Sequence, residues 1–293
     1  MNCVFLTWNV MGLGRPEKLR LVVKTINRNK ASIVFIQESK LQCMKSQQMN
    51  RLKGSKFEMA FSPSVGTAGG LILLWDPKIF QVQRCEIVER IVVLIGKILK
   101  INARVAVINV YAPNNQRERK DFWVLLSNLI ASLQLPIVLA GDFNAVKSSD
   151  ERFGMAEETG AMHDFSMFIR DNGLIDLPLH GFQYTWVRRG NIYCASRLDR
   201  FLLSPEIIVW LPKVEQKALP RSLSDHHSVL LAEVVKSGSG RPFKWFSHWA
   251  DNPDYAETIV KVCRDSENSG AVNCLRQAKI ATKEWVREEN ERK

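Results

Sequence analysis

The sequence has no apolar run long enough to cross a bilayer, no C-x-x-C pair and no internal repeat at a useful period. The first absence argues against a membrane protein. The start, MNCVFLTWNV, lacks a basic segment followed by a small-residue cleavage site, so no secretory signal is expected and the chain is expected to stay inside the cell. The six cysteines, Cys3, Cys43, Cys85, Cys194, Cys263 and Cys274, are scattered. Scattered thiols fit reduced, mostly packed side chains better than disulfides or zinc ligands.

What is present is globular and basic. The 293 residues are 46% hydrophobic and 24% charged, enough for one large α/β domain or one domain plus an appendage. Lys plus Arg number 41 against 30 Asp plus Glu, a formal net charge of +11. Such an excess favours a polyanionic partner through phosphate contacts and counterion release, with nucleic acid as the first expectation.

Bounded apolar runs rich in β-branched residues, CVFLTWN, ASIVFIQE, GGLILLW, RVAVINVYAP, LPIVLAGDFN, RLDRFLLS and SVLLAEVV, read as strands. Helical spacing recurs over Pro16 to Lys30 and over Gln116 to Leu133, with Asn114 or Asn115 as N-cap of the latter. Strand and helix do not alternate cleanly, because Leu71 to Tyr111 and Tyr184 to Leu203 are nearly all strand. The expected fold is therefore α+β, a four-layer sandwich of two mixed, largely antiparallel sheets flanked by helices. Residues 1–235 form the expected domain, KSGSGRP (236–242) a flexible linker, and residues 243–293 a short helical C-terminal extension.

Polar residues recur at the ends of the apolar strands. Asn9 ends LTWN, Glu38 ends IVFIQE, Tyr111 ends VINVY, and Asp142 and Asn144 end IVLAGDFN. Asp199 lies in SRLDRFLL, while Asp225, His226 and His227 open the last strand. Singly, each has a structural reading: Asn9 and Asn144 as turn formers, Glu38 as a solvated strand end, Asp225-His226 as a hydrogen-bonded pair. Together they form a hard, oxygen-rich set suited to Mg²⁺ or Mn²⁺ and phosphate, and hence to metal-assisted phosphoester hydrolysis.

In order, TWNV, IQES, VYAPN, GDFN, SRLDRF and SDHH closely resemble the endonuclease/exonuclease/phosphatase superfamily, which includes DNase I, exonuclease III and the apurinic/apyrimidinic endonucleases. The likeness runs from about residue 2 to 235. WNVMGLGRPEK, GTAGGLILLW and RPFKWFSHWADNPDY resemble the endonuclease domain of plant LINE-type non-LTR retrotransposons. The resemblance implies that Glu38 binds the catalytic divalent ion, Mg²⁺ with Mn²⁺ as substitute, with Asn9 and Asp225 on the metal side. It implies that Asp142, supported by Asn144, activates water, that Tyr111 and Asn114 lie at the scissile phosphate, and that Arg197 and His227 touch DNA. The histidine directly after the aspartate in the family's motif is His226, which Asp199 would orient. Strict strand alternation instead groups His227 with Asp225. Ser39 stands where Thr is commoner, and Met11 where related plant sequences often carry Arg.

The implied function is an Mg²⁺-dependent DNA endonuclease leaving a 3′-hydroxyl nick. It would act in the nucleus, as a monomer, with a reverse transcriptase region as its functional partner. Rival readings are an abasic-site repair enzyme, a phosphatase of the same superfamily, and a catalytically silent nucleic-acid-binding remnant. The extension is read as a helical pair, with a docking surface for a polymerase as the sharper alternative.

Overall fold

The computed structural model describes residues 3–43, 45–66, 68–155, 159–188, 193–234, 245–265 and 271–291. The chain divides into two compact units, Met1–Val234 and Val235–Lys293.

The first unit is the expected four-layer sandwich. One sheet has seven strands in the order Leu179–His180, Val214–Ala218, Val229–Glu233, Val4–Asn9, Ile33–Gln37, Ala68–Trp75 and Glu58–Val65. The other has six, Ile175–Asp176, Asp199–Leu203, Ile137–Asp142, Ala103–Tyr111, Ile91–Ile98 and Phe80–Val88. Both are mixed: Val4–Asn9 pairs parallel with Ile33–Gln37, and Ala103–Tyr111 parallel with Ile137–Asp142, while most other pairs are antiparallel.

Alternation along each strand explains the layers. Phe5, Phe35, Val107, Ala140, Phe201 and Leu231 fill the space between the sheets. Their neighbours of opposite parity face outward: Leu6, Val34 and Ile36 meet helix Pro16–Arg28, and Ile108, Leu139 and Leu202 meet helices Gln116–Leu133 and Thr159–Asp171. Central strands buried on both faces read as continuous apolar runs, which is why they stand out in the sequence. Each large side chain so buried stabilises by about 1.5–3 kcal/mol.

Asn115, not Asn114, caps helix Gln116–Leu133, its Oδ1 accepting from Arg117 N at 2.8 Å. Three short strands, Trp186–Arg188, Cys194–Ser196 and Arg152–Phe153, make a small third sheet.

The second unit consists of a short turn at Ser247–Asp251 and the helices Pro253–Asp265 and Ala271–Glu291. Tyr255 is buried there between Trp249 and Trp285, and its hydroxyl meets Thr282 at 3.0 Å. The expected linker, residues 236–242, lies outside the described residues. No helix among the described residues is long and apolar enough to cross a membrane.

Candidate active site

The site follows from strand register. Tyr111 is paired with Asp142, and Asp142 with Asp199, so three adjacent strands bring these side chains to one level. All three share the parity of the inter-sheet core residues. In the facing sheet Asn9 is paired with Gln37, one residue before Glu38. Beneath this level the core becomes polar: buried Gln37 donates to Thr7 Oγ1 (3.1 Å) and Asn109 Oδ1 (2.7 Å), and Asn109 donates to Ile36 O and Ile72 O. With these partners the burial carries little desolvation penalty.

Asn9 joins the two carboxylates. Its Nδ2 donates to Glu38 Oε1 (3.1 Å) and Asp142 Oδ2 (2.8 Å). The backbone N–H of Met11, which can only donate, fixes Asn9 Oδ1 as the acceptor at 3.0 Å and so turns the amide nitrogen toward the carboxylates. Asn9, expected on the metal side, turns its nitrogen toward Glu38 and Asp142 and holds the two acidic groups together.

Glu38 adopts left-handed backbone, φ 49°. Such a residue costs about 1–3 kcal/mol and persists only where its surroundings over-determine it. Here Gly12 N donates to Glu38 O on one side, while Ser39 N and Lys40 N donate to Gly70 O and Gly69 O on the other. Gly70 has φ +84°, and a Cβ there would collide with Ser39 Oγ, so the glycine pair in GTAGG lets the Glu38 turn pack. Tyr111 Oη donates to Glu38 Oε1 at 2.8 Å, and Lys40 Nζ lies 3.1 Å from Oε2. Burial opposes the Glu38 charge, but the hydrogen bonds from Tyr111, Asn9 and Lys40 outweigh it and hold the carboxyl below its usual range. Burial and the Glu38 charge raise the Tyr111 phenol well above its ordinary value, so it stays a neutral donor.

Asp142 is held at both oxygens, Oδ1 accepting from Asn144 N at 2.9 Å and Oδ2 from Asn9. Asn144 is itself left-handed (φ 48°), with Nδ2 donating to Ala112 O at 2.8 Å. Burial raises the Asp142 carboxyl to about 6, against the pull of His226.

Of the two adjacent histidines, His226 lines the cleft. Its Nδ1 meets Asp199 Oδ2 at 2.8 Å and its Nε2 lies 3.9 Å from Asp142 Oδ2. Burial opposes its charge, but Asp199, by charge and hydrogen bond, dominates and raises the imidazole to about 9. Alternation fails here because residues 224–227 are not yet strand. Trp8 Nε1 donates to His226 O, Ser224 Oγ receives His226 N, and His226 bridges Trp186 of the small sheet. His227 turns away: its ring nitrogen meets Leu219 O at 2.8 Å and its ring packs on Phe182.

Glu38, Tyr111, Asp142, Asn144 and His226 open on a cleft of about 510 Å³, which Asn114, Lys40, Arg119 and Trp186 also line. Asp225 lies on its wall, with Oδ2 accepting from Trp186 Nε1 at 3.0 Å while its buried Oδ1 has no hydrogen-bond partner. An unpaired buried carboxylate oxygen on the wall of a cleft that Glu38 also lines fits a hard divalent cation. Asp142, Asp199 and His226 also come within 4.8 Å of one another. In that group the 2.8 Å contact commits His226 to Asp199, so it reads as a hydrogen-bonded couple.

Arg197 is a correction. It is 9% exposed, with Nη2 2.6 Å from Asp176 Oδ1 and Nη1 3.3 Å from Glu151 Oε1, and so does not reach the cleft. Fully buried Arg200 pairs with the same two carboxylates. Lys40, Arg119, Trp186 and Ser224 were not read from the sequence. Nothing in the local pattern marks them, since Lys, Arg and Ser are common in loops and tryptophan more often marks packing.

The chain belongs to the Endonuclease/Exonuclease/phosphatase family, whose model matches residues 6–226. Members are typically hydrolytic nucleases and phosphatases and generally depend on a divalent metal. Among solved structures, the chain is similar to the AP endonuclease LMAP from Leishmania major (16% identity, 79% of this chain, 87% of that one, TM-score 0.63). It is also similar to an AP endonuclease from Archaeoglobus fulgidus (16%, 80% and 100%, TM-score 0.62). A third is the endonuclease domain of TRAS1, a telomere-specific non-LTR retrotransposon (17%, 80% and 99%, TM-score 0.60). At these identities the likeness is one of fold.

Proposed function

We propose that the chain is an Mg²⁺-dependent DNA endonuclease that nicks duplex DNA and leaves a 3′-hydroxyl, as in target-site cleavage by a LINE-type retrotransposon. One observation carries the reading: a single amide, Asn9, clamps Glu38 and Asp142 in an open polar cleft that His226 also lines. The basic excess, most of it in residues 1–234, suits a DNA backbone.

Glu38 and Asp225 would hold the divalent ion, which when bound supplies positive charge against the phosphate. Asp142, fixed at both oxygens, accepts the proton of the attacking water as its oxygen bonds to phosphorus. Tyr111 donates its phenol hydrogen bond toward the phosphate rim, with Asn114 beside it. His226, charged and oriented by Asp199, stabilises the negative charge that builds on the phosphate oxygens. The P–O3′ bond breaks, and the leaving 3′ oxygen takes a proton from solvent to become the hydroxyl, while Asp142 later returns its own proton to solvent. On this reading the protein works on nuclear DNA as a monomer, with a reverse transcriptase as its functional partner.

The test is nicking of supercoiled plasmid in Mg²⁺ and in EDTA, with Glu38→Ala and His226→Ala beside the wild type. Metal-dependent open-circular product whose ends a polymerase extends, lost by orders of magnitude in both variants, is the expected result. Wild-type protein that binds plasmid without nicking it overturns the proposal, and preference for an abasic-site duplex over an intact one turns it into repair.

A further inference from the structure

The small third sheet has two faces. Register places Trp186 opposite Ser196, and Ser196 opposite Arg152, and these three line the cleft. Val187, of opposite parity, lines a second groove of about 370 Å³ with Phe182, Tyr184, Tyr193, Arg221 and His227. Phe182 is 42% and Tyr193 46% exposed, unusual for rings of this size, and Phe153, 55% exposed, packs on Tyr193 at 5.7 Å. Arg221 ion-pairs with no carboxylate among the described residues and is held by donating to Val187 O at 3.0 Å. His227 Nδ1 sits against a carbonyl, which only accepts, so that nitrogen carries a proton.

Flat exposed rings and a guanidinium match an unpaired nucleobase with its phosphate: the rings offer stacking faces and Arg221 a charge. A paired base keeps its faces in the duplex stack and cannot use them. We propose that this groove binds an unpaired nucleotide of the DNA strand flanking the cleaved phosphate, the small sheet acting as the partition between cleft and groove. The inference rests on the nuclease reading above and adds the strand segment that the site takes.

The test compares binding, in EDTA, of a blunt duplex with that of the same duplex carrying a single-stranded overhang, by fluorescence anisotropy. Wild-type protein is expected to favour the overhang by about tenfold, the worth of one stacked base. Phe182→Ala combined with Tyr193→Ala should abolish that preference while leaving blunt-duplex affinity unchanged, and Phe182→Tyr alone, which keeps the ring, should retain it. Arg221→Gln should lower the salt dependence of overhang binding by about one charge. A double variant that keeps the preference, or a wild type that binds both duplexes equally, overturns the groove and leaves the endonuclease reading standing. A wild type that binds neither overturns both.

Discussion

Arg200→Met tests whether the buried charge cluster behind the site holds it in place. Arg200 is completely buried, its Nη1 donating to Glu151 Oε1 and Asp176 Oδ2 at 2.8 Å each and its Nη2 to Arg197 O at 2.7 Å and to Glu151 Oε2. Methionine keeps the stem and removes the charge. Breaking a buried ion pair by deleting one partner costs about 3–5 kcal/mol. Both carboxylates keep Arg197, and Asp176 keeps Lys147 at 2.7 Å, so the low end, about 3 kcal/mol, is expected. That is a large share of the 5–15 kcal/mol typical of a domain. Because Arg200 adjoins Asp199, nicking should fall as well, through the placement of His226. Urea unfolding of the intact chain at pH 7 measures the first effect, and a loss below 1 kcal/mol would refute the reasoning. A second arm uses pH. Burial works against the Asp176 charge, but Arg200, Arg197 and Lys147 outweigh it and hold the carboxyl below its ordinary 3.8. A depressed carboxylate contributes stability that is present above 3.8 and is lost as pH falls through the folded-state value. The gap between wild type and variant should therefore narrow as pH falls below 3.8, and a gap that widens in acid counts against the network.

Arg197→Gln should also destabilise, by about 1–3 kcal/mol, yet leave the salt dependence of DNA binding unchanged, whereas Lys40→Gln should lower that slope by about one; anisotropy titrations over a salt series separate them. Gly70→Ala should cost about 1–3 kcal/mol in a thermal or urea melt and reduce nicking more than its stability loss explains, because the new Cβ meets Ser39 beside the left-handed Glu38. His226→Asn should lower plasmid nicking by about a hundredfold or more, while His227→Asn stays within tenfold of wild type. Equal losses in the two histidine variants would refute the assignment of His226.

The layered fold was legible because its central strands are buried on both faces, which leaves unbroken runs such as IVFIQ and VAVINV. Helix Gln116–Leu133 was legible for the matching reason, an amphipathic period of adequate length. Helices Ser46–Lys53 and Thr159–Asp171 were not: the first is eight residues with few apolar anchors, and the second begins beside turn-forming residues. The acidic and amide residues at strand ends were found by position alone, but Asn9's hydrogen-bond direction depends on the backbone N–H of Met11, a fact of three dimensions. Arg197 misled for a related reason. A basic residue in a site motif reads as a phosphate contact, and nothing in SRLDRF shows that Glu151 and Asp176, distant in sequence, claim it first.

The two histidines show where pattern stops and tertiary structure decides. Alternation is a property of a chain already paired on a flat ladder, and Val229–Glu233 obeys it, with Val229 and Leu231 in the inter-sheet core. Residues 224–227 instead pass between two elements, Trp8 and Asn9 contacting them from one side and Thr185 to Val187 from the other. That crossing adds a turn before the ladder starts, so His226 reaches Asp199 while His227 is left on the far face with Phe182. The same small sheet that rotates His226 into the cleft therefore also makes the second groove. The single rotation ties the two together: a change that flattens residues 224–227 into the ladder should disturb both the His226–Asp199 couple and the His227–Phe182 contact, because neither can be moved without the other.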